Sequence, residues 1–260
     1  MRLGADLEVS DIEQEENGLL TYDRRPKLPA ERIARIAAEQ GVARMVQISA
    51  IGADADSASG YARTKALGEQ AVLKHMPDAV ILRPSVIFGP DDQFFNRFAS
   101  MSRMGPVLPL VGADTKFQPV YVDDVAHAAV MGVTGEAAPG VYELGGPDAE
   151  SFRDLIGQML SVIRRRRFVA NIPFGLASIM GWSFELLQTL TGGLFKAQIT
   201  RDQVKSLRRD NVVSDGARGF KELGIAPTSM EAVLPDYLWR FRPSGQYDAI
   251  KESARNLRME

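Results

Sequence analysis

One stretch, residues 44–65, constrains the fold of this 260-residue chain more than any other. It opens with an apolar run, Met45 to Ile48, which predicts a buried parallel strand within Arg44–Ser49. A loop of small residues follows, and a helical pattern then runs from Gly60 to Lys74. The apolar run Ala79 to Leu82 predicts a second strand. Strand, helix and strand at this spacing indicate a βαβ unit with parallel strands and a right-handed crossover.

Tyr61 and Lys65 lie four residues apart in that helix, so they share one helix face. A neighbouring ammonium lowers the pKa of a phenol from about 10 towards neutrality, which makes Tyr61 a candidate proton donor or acceptor for a carbonyl or alcohol. Ser49, at the end of the first strand, could hydrogen-bond the same oxygen. The spacing Y-x-x-x-K is common by chance, but a strand, a serine and a loop before it make the pattern specific. We therefore predict a catalytic-type site of Ser49, Tyr61 and Lys65.

The rest of the chain continues the alternation of helices and short strands. The further predicted features are a helix from Glu31, a helix from Phe94-Phe95 to Met104, a break at Pro106 to Pro109, strands at 120–122 and 141–144, and an N-cap at Ser151 that opens a mostly helical remainder. Asp123-Asp124 follows a strand and precedes a helix, so we interpret this pair as cap carboxylates rather than metal ligands.

Composition excludes several classes of function. The net charge is −2 with both signs interspersed, so nothing favours nucleic acid as a partner. The chain has no cysteine and two histidines, His75 and His127, so we expect no disulfide, no zinc–thiolate centre and no other metal site. The longest uncharged run, Phe168 to Phe184, contains Pro173, which argues against a transmembrane helix. No secretory signal is recognised in the acidic, polar N-terminus. We expect a soluble protein of a reducing compartment.

Five motifs occur in an order and spacing that resemble a known family. They are Ser49, YARTK (61–65), LRPSVIFGP (82–90), PVYVDDVA (119–126) and YELGGP (142–147). Together they resemble the extended or atypical short-chain dehydrogenase/reductase superfamily. The segments at 93–110, 116–125, 199–204 and 220–228 are similar, within it, to the nucleotide-binding accessory subunit of respiratory complex I and its proteobacterial relatives.

The resemblance implies roles for individual residues. Tyr61 and Lys65 take the catalytic tyrosine and lysine positions, and Lys65 also reaches the nicotinamide ribose. The cofactor-binding set it implies is Ser49, Tyr61, Lys65, Pro84, Ser85 and Val86, with Asp91 to Phe98 on the substrate side. The implied cofactor is NADP(H), with NAD(H) as the other choice.

Two functions are compatible with this resemblance. The first is a dinucleotide-binding accessory or assembly subunit of respiratory complex I, partnered by other complex I subunits, cytoplasmic and peripheral on the inner-membrane face. The alternative is an active NAD(P)-dependent oxidoreductase or epimerase that uses Ser49, Tyr61 and Lys65. A basic run at Arg164 to Arg167 precedes an amphipathic stretch, so residues 164–195 could contact an anionic membrane surface or a partner subunit. The simpler interpretation of that segment is a solvated basic turn before a core-facing helix.

One departure from the family pattern matters. Such proteins open with a strand and a G-x-x-G-x-x-G turn at a helix N-terminus, which binds the pyrophosphate. Residues 1–30 contain only Gly4 and Gly18, and Gly216 to Gly219 is better explained by a surface helix with a glycine cap. We therefore predict an atypical leader (1–30), the second half of a Rossmann-like domain (31–150) and a mostly helical lobe (151–260). The fold class is α/β, a partial Rossmann-type parallel sheet with a smaller helical C-terminal lobe and one exposed sheet edge.

Overall fold

The computed structural model describes residues 27–190, 200–243 and 245. The helices are α1 (Lys27–Glu39), α2 (Gly60–His75), α3 (Phe95–Met101), α4 (Val122–Thr134), α5 (Phe152–Val162), α6 (Phe174–Leu190), α7 (Arg201–Ser206), α8 (Phe220–Leu223) and α9 (Met230–Leu238), followed by a 3₁₀ turn, Trp239–Phe241. The strands are β1 (Val46–Ile48), β2 (Val80–Pro84), β3 (Ile87–Phe88), β4 (Val107–Val111), β5 (Lys116–Phe117), β6 (Val120–Tyr121), β7 (Gly140–Leu144), β8 (Glu150–Ser151) and β9 (Phe168–Ile172). The predicted leader lies outside the described residues up to position 26.

The main sheet has three parallel strands in the order β1-β2-β7. Val46 pairs with Val80, and Val80 pairs with Gly140. Helix α2 connects β1 to β2, so the predicted βαβ unit is confirmed. The predicted α/β class with a Rossmann-type parallel sheet is confirmed with it.

Helices cover both faces of this sheet. Ile81 packs in one cluster with Ala34 and Val72 of α1 and α2, whereas Val80 and Leu82 pack in another cluster with α4 and α8. Successive strand residues point to opposite faces, so the two clusters lie on opposite sides of the sheet. Helix α4 lies very close to strand β1 at Gly132. A Cβ at this position would lie only 2.6 Å from Cγ2 of Val46, so the contact requires glycine.

Strand β1 is less buried than the sequence predicts. Val46 and Gln47 are half-buried and Ile48 is 40% exposed. The predicted burial of this strand is therefore wrong, because β1 forms the edge of the sheet in the part of the chain that the structure describes. The predicted exposed sheet edge is this edge.

A second core, rich in aromatic rings, lies beside the sheet. It joins α3, β4, α5 and α9, and its fully buried side chains include Phe88, Phe95, Leu108, Leu155 and Ile156. Phe94 stacks edge-on against Phe95 with ring centroids 5.0 Å apart. Segments before and after residue 151 thus share one core, and the predicted domain limits stay a prediction.

The pairing of strands β4 and β9 is the largest feature that the sequence did not predict. The predicted break at Pro106 to Pro109 is strand β4, which pairs in parallel with β9 along its whole length. Proline is tolerated in a two-stranded sheet because the outer side of each strand has no partner strand and needs no backbone N–H donor. The Pro106 carbonyl still accepts the Phe168 N–H from β9. The preceding helix ends at Met101 rather than at Met104.

The predicted helix ends were partly right. Ser151 caps α5 by accepting the Asp154 N–H, as predicted. The cap predicted at Asp123-Asp124 is wrong, because Tyr121 is the N-cap and both acids lie in the first turn of α4. Asp124 instead accepts the N–H of Thr228 at 2.7 Å and its hydroxyl at 3.1 Å, which ties α4 to the chain before α9. Helix α1 begins at Lys27, earlier than the predicted Glu31.

None of the helices described is both long and apolar enough to span a bilayer.

Candidate functional site

Helix α2 presents Tyr61 and Lys65 together at the carboxyl end of the sheet. Its N-cap is Ser59, whose side chain accepts the Ala62 N–H. The Lys65 ammonium lies 5.7 Å from the centroid of the Tyr61 ring, and the Tyr61 side chain is 46% exposed. An exposed phenol beside an ammonium can meet a ligand from solvent, which is what the sequence analysis required of this pair.

The environment of Lys65 shifts its pKa. Burial lowers the pKa of Lys65 below its ordinary 10.5, and the carboxylate of Glu69, one turn further along α2, opposes that shift. The ammonium is therefore less stabilised than a surface lysine. A ligand that offers an acceptor oxygen to Lys65 would recover part of this loss.

Ser49 lies in a different environment from Tyr61 and Lys65. Its side chain is 4% exposed, and its hydroxyl donates to Oε1 of Glu69 through a short hydrogen bond. Arg83 then binds both oxygens of Glu69, at 2.9 Å from Nε and 2.6 Å from Nη2. This hydrogen bond to Glu69 raises the pKa of Arg83. The role predicted for Ser49 at a ligand stays a prediction, and the hydroxyl described here is engaged by a carboxylate.

The network continues from β2 to the neighbouring strand β7. Nη1 of Arg83 lies 3.5 Å from Oε1 of Glu143 on β7, and Oε2 of Glu143 accepts the Ser214 N–H at 2.8 Å. Glu69, Arg83 and Glu143 were not singled out from sequence. The signal available was a charged residue inside an apolar strand, as in the run from Val80 to Pro84, because such a residue needs a buried partner.

A carboxylate distant in sequence, that of Asp202 at the start of α7, caps the first turn of α2. The Asp202 carboxylate accepts the Ser59 hydroxyl at 3.1 Å, the Gly60 N–H at 2.8 Å and the Tyr61 N–H at 3.1 Å. It thereby satisfies free N–H groups of the first turn from outside the helix. Sequence reasoning missed Asp202, because a cap supplied from about 140 residues away leaves no local pattern.

Residues Pro84 to Val86 leave β2 at the same end of the sheet. Pro84 and Ser85 are buried and Val86 is half-buried. The Ser85 hydroxyl donates to Asn211, with Oδ1 at 2.6 Å and the carbonyl oxygen at 2.9 Å. The chain from Asp202 to Ser214 therefore runs along the carboxyl ends of the strands, the edge at which open α/β sheets bind ligands.

The predicted substrate side borders a cavity of about 550 Å³. Asp91, Asn96, Arg97 and Arg240 line it, with Met101 and Met104. Asp92 also borders it, but its carboxylate is committed to structure, since it accepts the Phe94 and Asn96 N–H groups and the Tyr237 hydroxyl at 2.6 Å. Burial and this carboxylate raise the pKa of Tyr237.

The residues that the sequence analysis assigned to a dinucleotide all belong to its nicotinamide end. Tyr61 and Lys65 stand at the carboxyl end of the sheet, where Pro84 to Val86 leave β2, and the contact of these residues with a nicotinamide riboside stays a prediction. A glycine turn for the pyrophosphate is missing from the sequence. Gly219 instead caps the short helix α8, and Gly224 ends it in the left-handed conformation with a φ of 69°.

Comparison with known proteins agrees with this geometry. The family described as RmlD substrate binding domain matches residues 53–165. Mitochondrial NADH dehydrogenase [ubiquinone] 1 alpha subcomplex subunit 9 of Arabidopsis thaliana is 35% identical over 83% of this chain and 55% of that protein. The 40 kDa subunit of Neurospora crassa NADH-ubiquinone oxidoreductase is 30% identical over 84% of this chain and 56% of its own length. Ceramide reductase of Caulobacter vibrioides is 29% identical over 68% of this chain and 50% of its own. The chain spans about half the length of these curated relatives.

Solved structures share the fold. The protein gox2253 superimposes with a TM-score of 0.60 at 20% identity, over 90% of this chain and 77% of that one. DesIV, a dTDP-glucose 4,6-dehydratase from Streptomyces venezuelae solved with NAD, gives 0.58 at 20% identity, over 85% and 66%.

The fold is thus that of a Rossmann-type α/β protein, in which helix α2 places Tyr61 and Lys65 at the carboxyl end of a parallel sheet. The chain resembles the extended short-chain dehydrogenase/reductase superfamily, as the motifs predicted. Its sequence relatives include subunits of mitochondrial NADH:ubiquinone oxidoreductase.

Proposed function

We propose that this chain is an accessory subunit of a respiratory NADH:ubiquinone oxidoreductase, with a site of the type that binds a nicotinamide nucleotide. The observation that carries the proposal is the 35% identity to the Arabidopsis subunit across 83% of this chain. Subunits of the same kind from mouse and Dictyostelium discoideum match over 81% and 85% of it.

The site geometry supports binding more than turnover. Tyr61 and Lys65 are placed together, but the Ser49 hydroxyl is held by Glu69 in a buried network. Lys65 would reach the nicotinamide ribose and Tyr61 would face the ring. We propose NADP(H) as the nucleotide, with NAD(H) as the alternative.

The test is capture of the complex from native membranes. A tagged chain expressed at its own level is purified after mild detergent extraction and analysed on a native gel. The proposal predicts that it migrates with the NADH dehydrogenase subunits, and that Tyr61→Phe migrates identically. Migration of the chain alone, near its 28.5 kDa mass, would contradict the proposal.

We further propose that the chain lies on the cytoplasmic face of the inner membrane and contacts an anionic bilayer through residues 164–195, of which 191–195 lie outside the described residues. Phe168 is 71% exposed, and α6 exposes Leu176, Ile179 and Trp182, which recur at three-residue spacing on one helix face. The arginines from 164 to 167 precede this apolar surface. Burial and then repulsion from Arg167 and Arg103 lower the pKa of Arg165, so this basic surface would gain from anionic headgroups.

Vesicle sedimentation tests the membrane contact. We expect binding to vesicles that contain phosphatidylserine, weaker binding to pure phosphatidylcholine, and loss of binding in an Ile179→Ser/Trp182→Ser variant. A Val42→Ser/Trp239→Ser variant is the matched control, because both side chains are also exposed, at 46% and 38%. Capture of the complex without vesicle binding would assign the surface to a protein subunit and contradict the membrane contact.

A second candidate function is an NAD(P)-dependent reductase or epimerase. The exposed Tyr61 beside Lys65, together with the likeness to ceramide reductase, favours it. A bound nicotinamide would supply the hydride chemistry, and the Tyr61 phenol would exchange a proton with the substrate oxygen. Tyr61→Phe then abolishes turnover, whereas the accessory function leaves assembly unchanged by the same substitution.

A further inference from the structure

Three arginines lie together at the end of the molecule where β4 and β9 begin. Arg103 follows α3, and Arg165 and Arg167 precede β9. Nε of Arg167 donates to the Ser102 carbonyl at 2.7 Å, which brings this side chain next to the Arg103 backbone. Nε of Arg165 donates to the Phe241 carbonyl at 2.8 Å. Backbone carbonyls thus hold two of the three guanidinium groups in place.

No acidic side chain in the described part of the chain neutralises these arginines. The ion pairs between residues 27–190 and 200–243 include none of the three. Burial lowers the pKa of Arg165, and repulsion from Arg167 and Arg103 lowers it further. A nearby negative charge would stabilise the charged form of such a group. The cluster therefore favours an anion as its partner.

Exposed apolar side chains border the same arginines. Met104 directly follows Arg103, Phe168 directly follows Arg167, and both are mostly exposed. Val107 pairs with Phe168 across the two strands and is also exposed. Met104 in addition lines the cavity of about 550 Å³ beside α3. A cationic surface next to an apolar one matches a molecule with an anionic head and hydrocarbon chains.

We propose that these three arginines bind the phosphate group of one anionic phospholipid. Its acyl chains lie on Met104 and Phe168. Guanidinium groups bind phosphate oxygens through parallel N–H···O bonds, and the attached chains cover the apolar neighbours, which a soluble phosphate would leave in water. The inference rests on the proposed contact with an anionic bilayer and makes it specific, because it adds the end of α3 and a discrete phosphate site.

Calorimetric titration of the full-length chain with dihexanoyl phosphatidic acid, below its micelle concentration, tests for this site without a bilayer. We expect saturable binding of one lipid per chain. Dihexanoyl phosphatidylcholine has the same chains without net charge, and glycerol 3-phosphate has the same headgroup without chains. Each should bind at least about tenfold more weakly than the phosphatidic acid, because each satisfies only one part of the surface.

Paired arginine variants locate the site. Arg103→Gln/Arg165→Gln should weaken binding of the phosphatidic acid at least about tenfold. The matched control, Arg32→Gln/Arg44→Gln, removes the same charge from two exposed arginines in α1 and before β1, and should change the affinity less than about twofold. Arg103→Gln alone leaves the bond from Arg165 to Phe241 in place and should still weaken binding about fivefold.

Several outcomes would overturn the proposal. Equal losses in the two double variants would show a diffuse effect of net charge. Glycerol 3-phosphate that binds as tightly as the lipid would assign the arginines to a soluble phosphate. Vesicle binding without binding of the short-chain lipid would leave the bilayer contact intact and contradict the discrete site.

The proposed function fails in a different way. If the chain migrates with the NADH dehydrogenase subunits but binds no phosphate ligand, the function stands, and the arginines belong to an interface with an acidic partner subunit instead of a lipid. If the chain migrates alone but binds one phosphatidic acid through Arg103 and Arg165, the lipid site is supported and the proposed function is contradicted.

Discussion

Two polar clusters stand at the carboxyl end of the same sheet and differ in what surrounds them. Ser49, Glu69 and Arg83 form a buried network in which the described polar groups pair with one another. Tyr61 and Lys65 form an accessible pair whose tyrosine is nearly half exposed. Both clusters meet on α2, where Lys65 and Glu69 are one turn apart. The first cluster stabilises the fold, and the second is available to a ligand.

This difference separates residues that motif spacing treats as one site. A serine at a strand end, followed by a tyrosine and a lysine, predicts three groups around one substrate oxygen. Here Glu69, which no motif included, accepts the Ser49 hydroxyl. Substitutions in the two clusters should therefore affect different measurements.

Glu69→Ala should have the largest effect on stability. It leaves Arg83 without its bidentate partner, and breaking a buried ion pair costs about 3 kcal/mol or more in the free energy of unfolding. The control is Glu39→Ala, which removes an exposed pair with Arg35 and should cost less than about 1 kcal/mol. Equal losses in urea denaturation would show that the buried network is not a stability element.

Asp202→Ala should cost about 1–2 kcal/mol, because three hydrogen bonds to the start of α2 lose their acceptor. Hydrogen exchange should rise at residues 59–62 and stay unchanged in α5. Asp202→Asn keeps an acceptor oxygen and should lose less. If exchange at the start of α2 is the same in the wild type and Asp202→Ala, the external cap is refuted.

Ser49→Ala should cost about 1 kcal/mol, because Glu69 keeps its two bonds to Arg83 when the hydroxyl is removed. Nucleotide binding should be unaffected. If Ser49→Ala kept normal stability but lost nucleotide binding, Ser49 would instead belong to the ligand site, as its motif predicts.

Lys65→Met should change stability least, and the change depends on pH. Burial lowers the pKa of Lys65 in the folded chain below 10.5, so the unfolded chain binds more protons between the two pKa values. The wild type therefore carries the full cost of burying a charged Lys65 at low pH, and this cost disappears as the pH rises towards 10.5. The stability of Lys65→Met relative to the wild type should fall over this interval in urea titrations from pH 7 to 10. A relative stability that rises with pH would contradict the desolvation.

Much of the fold could be predicted because its signals are local. Apolar runs, the spacing of Tyr61 and Lys65 and the cap at Ser151 each depend on neighbours in sequence. The β4–β9 pair was missed because paired residues are 61 positions apart in sequence, as in Val107 and Phe168, and because β4 contains a proline and β9 follows an arginine run. Asp202 and Glu143 were missed for the same reason, since each acts on a distant segment.

The most direct test of the account is a calorimetric titration of the full chain with two halves of the dinucleotide, reduced nicotinamide mononucleotide and AMP. The account predicts saturable binding of the nicotinamide half, loss of that binding in Lys65→Met, its retention in Ser49→Ala, and no saturable binding of AMP. Binding of AMP as tight as that of the nicotinamide half, or nicotinamide binding that survives Lys65→Met and disappears in Ser49→Ala, would contradict it.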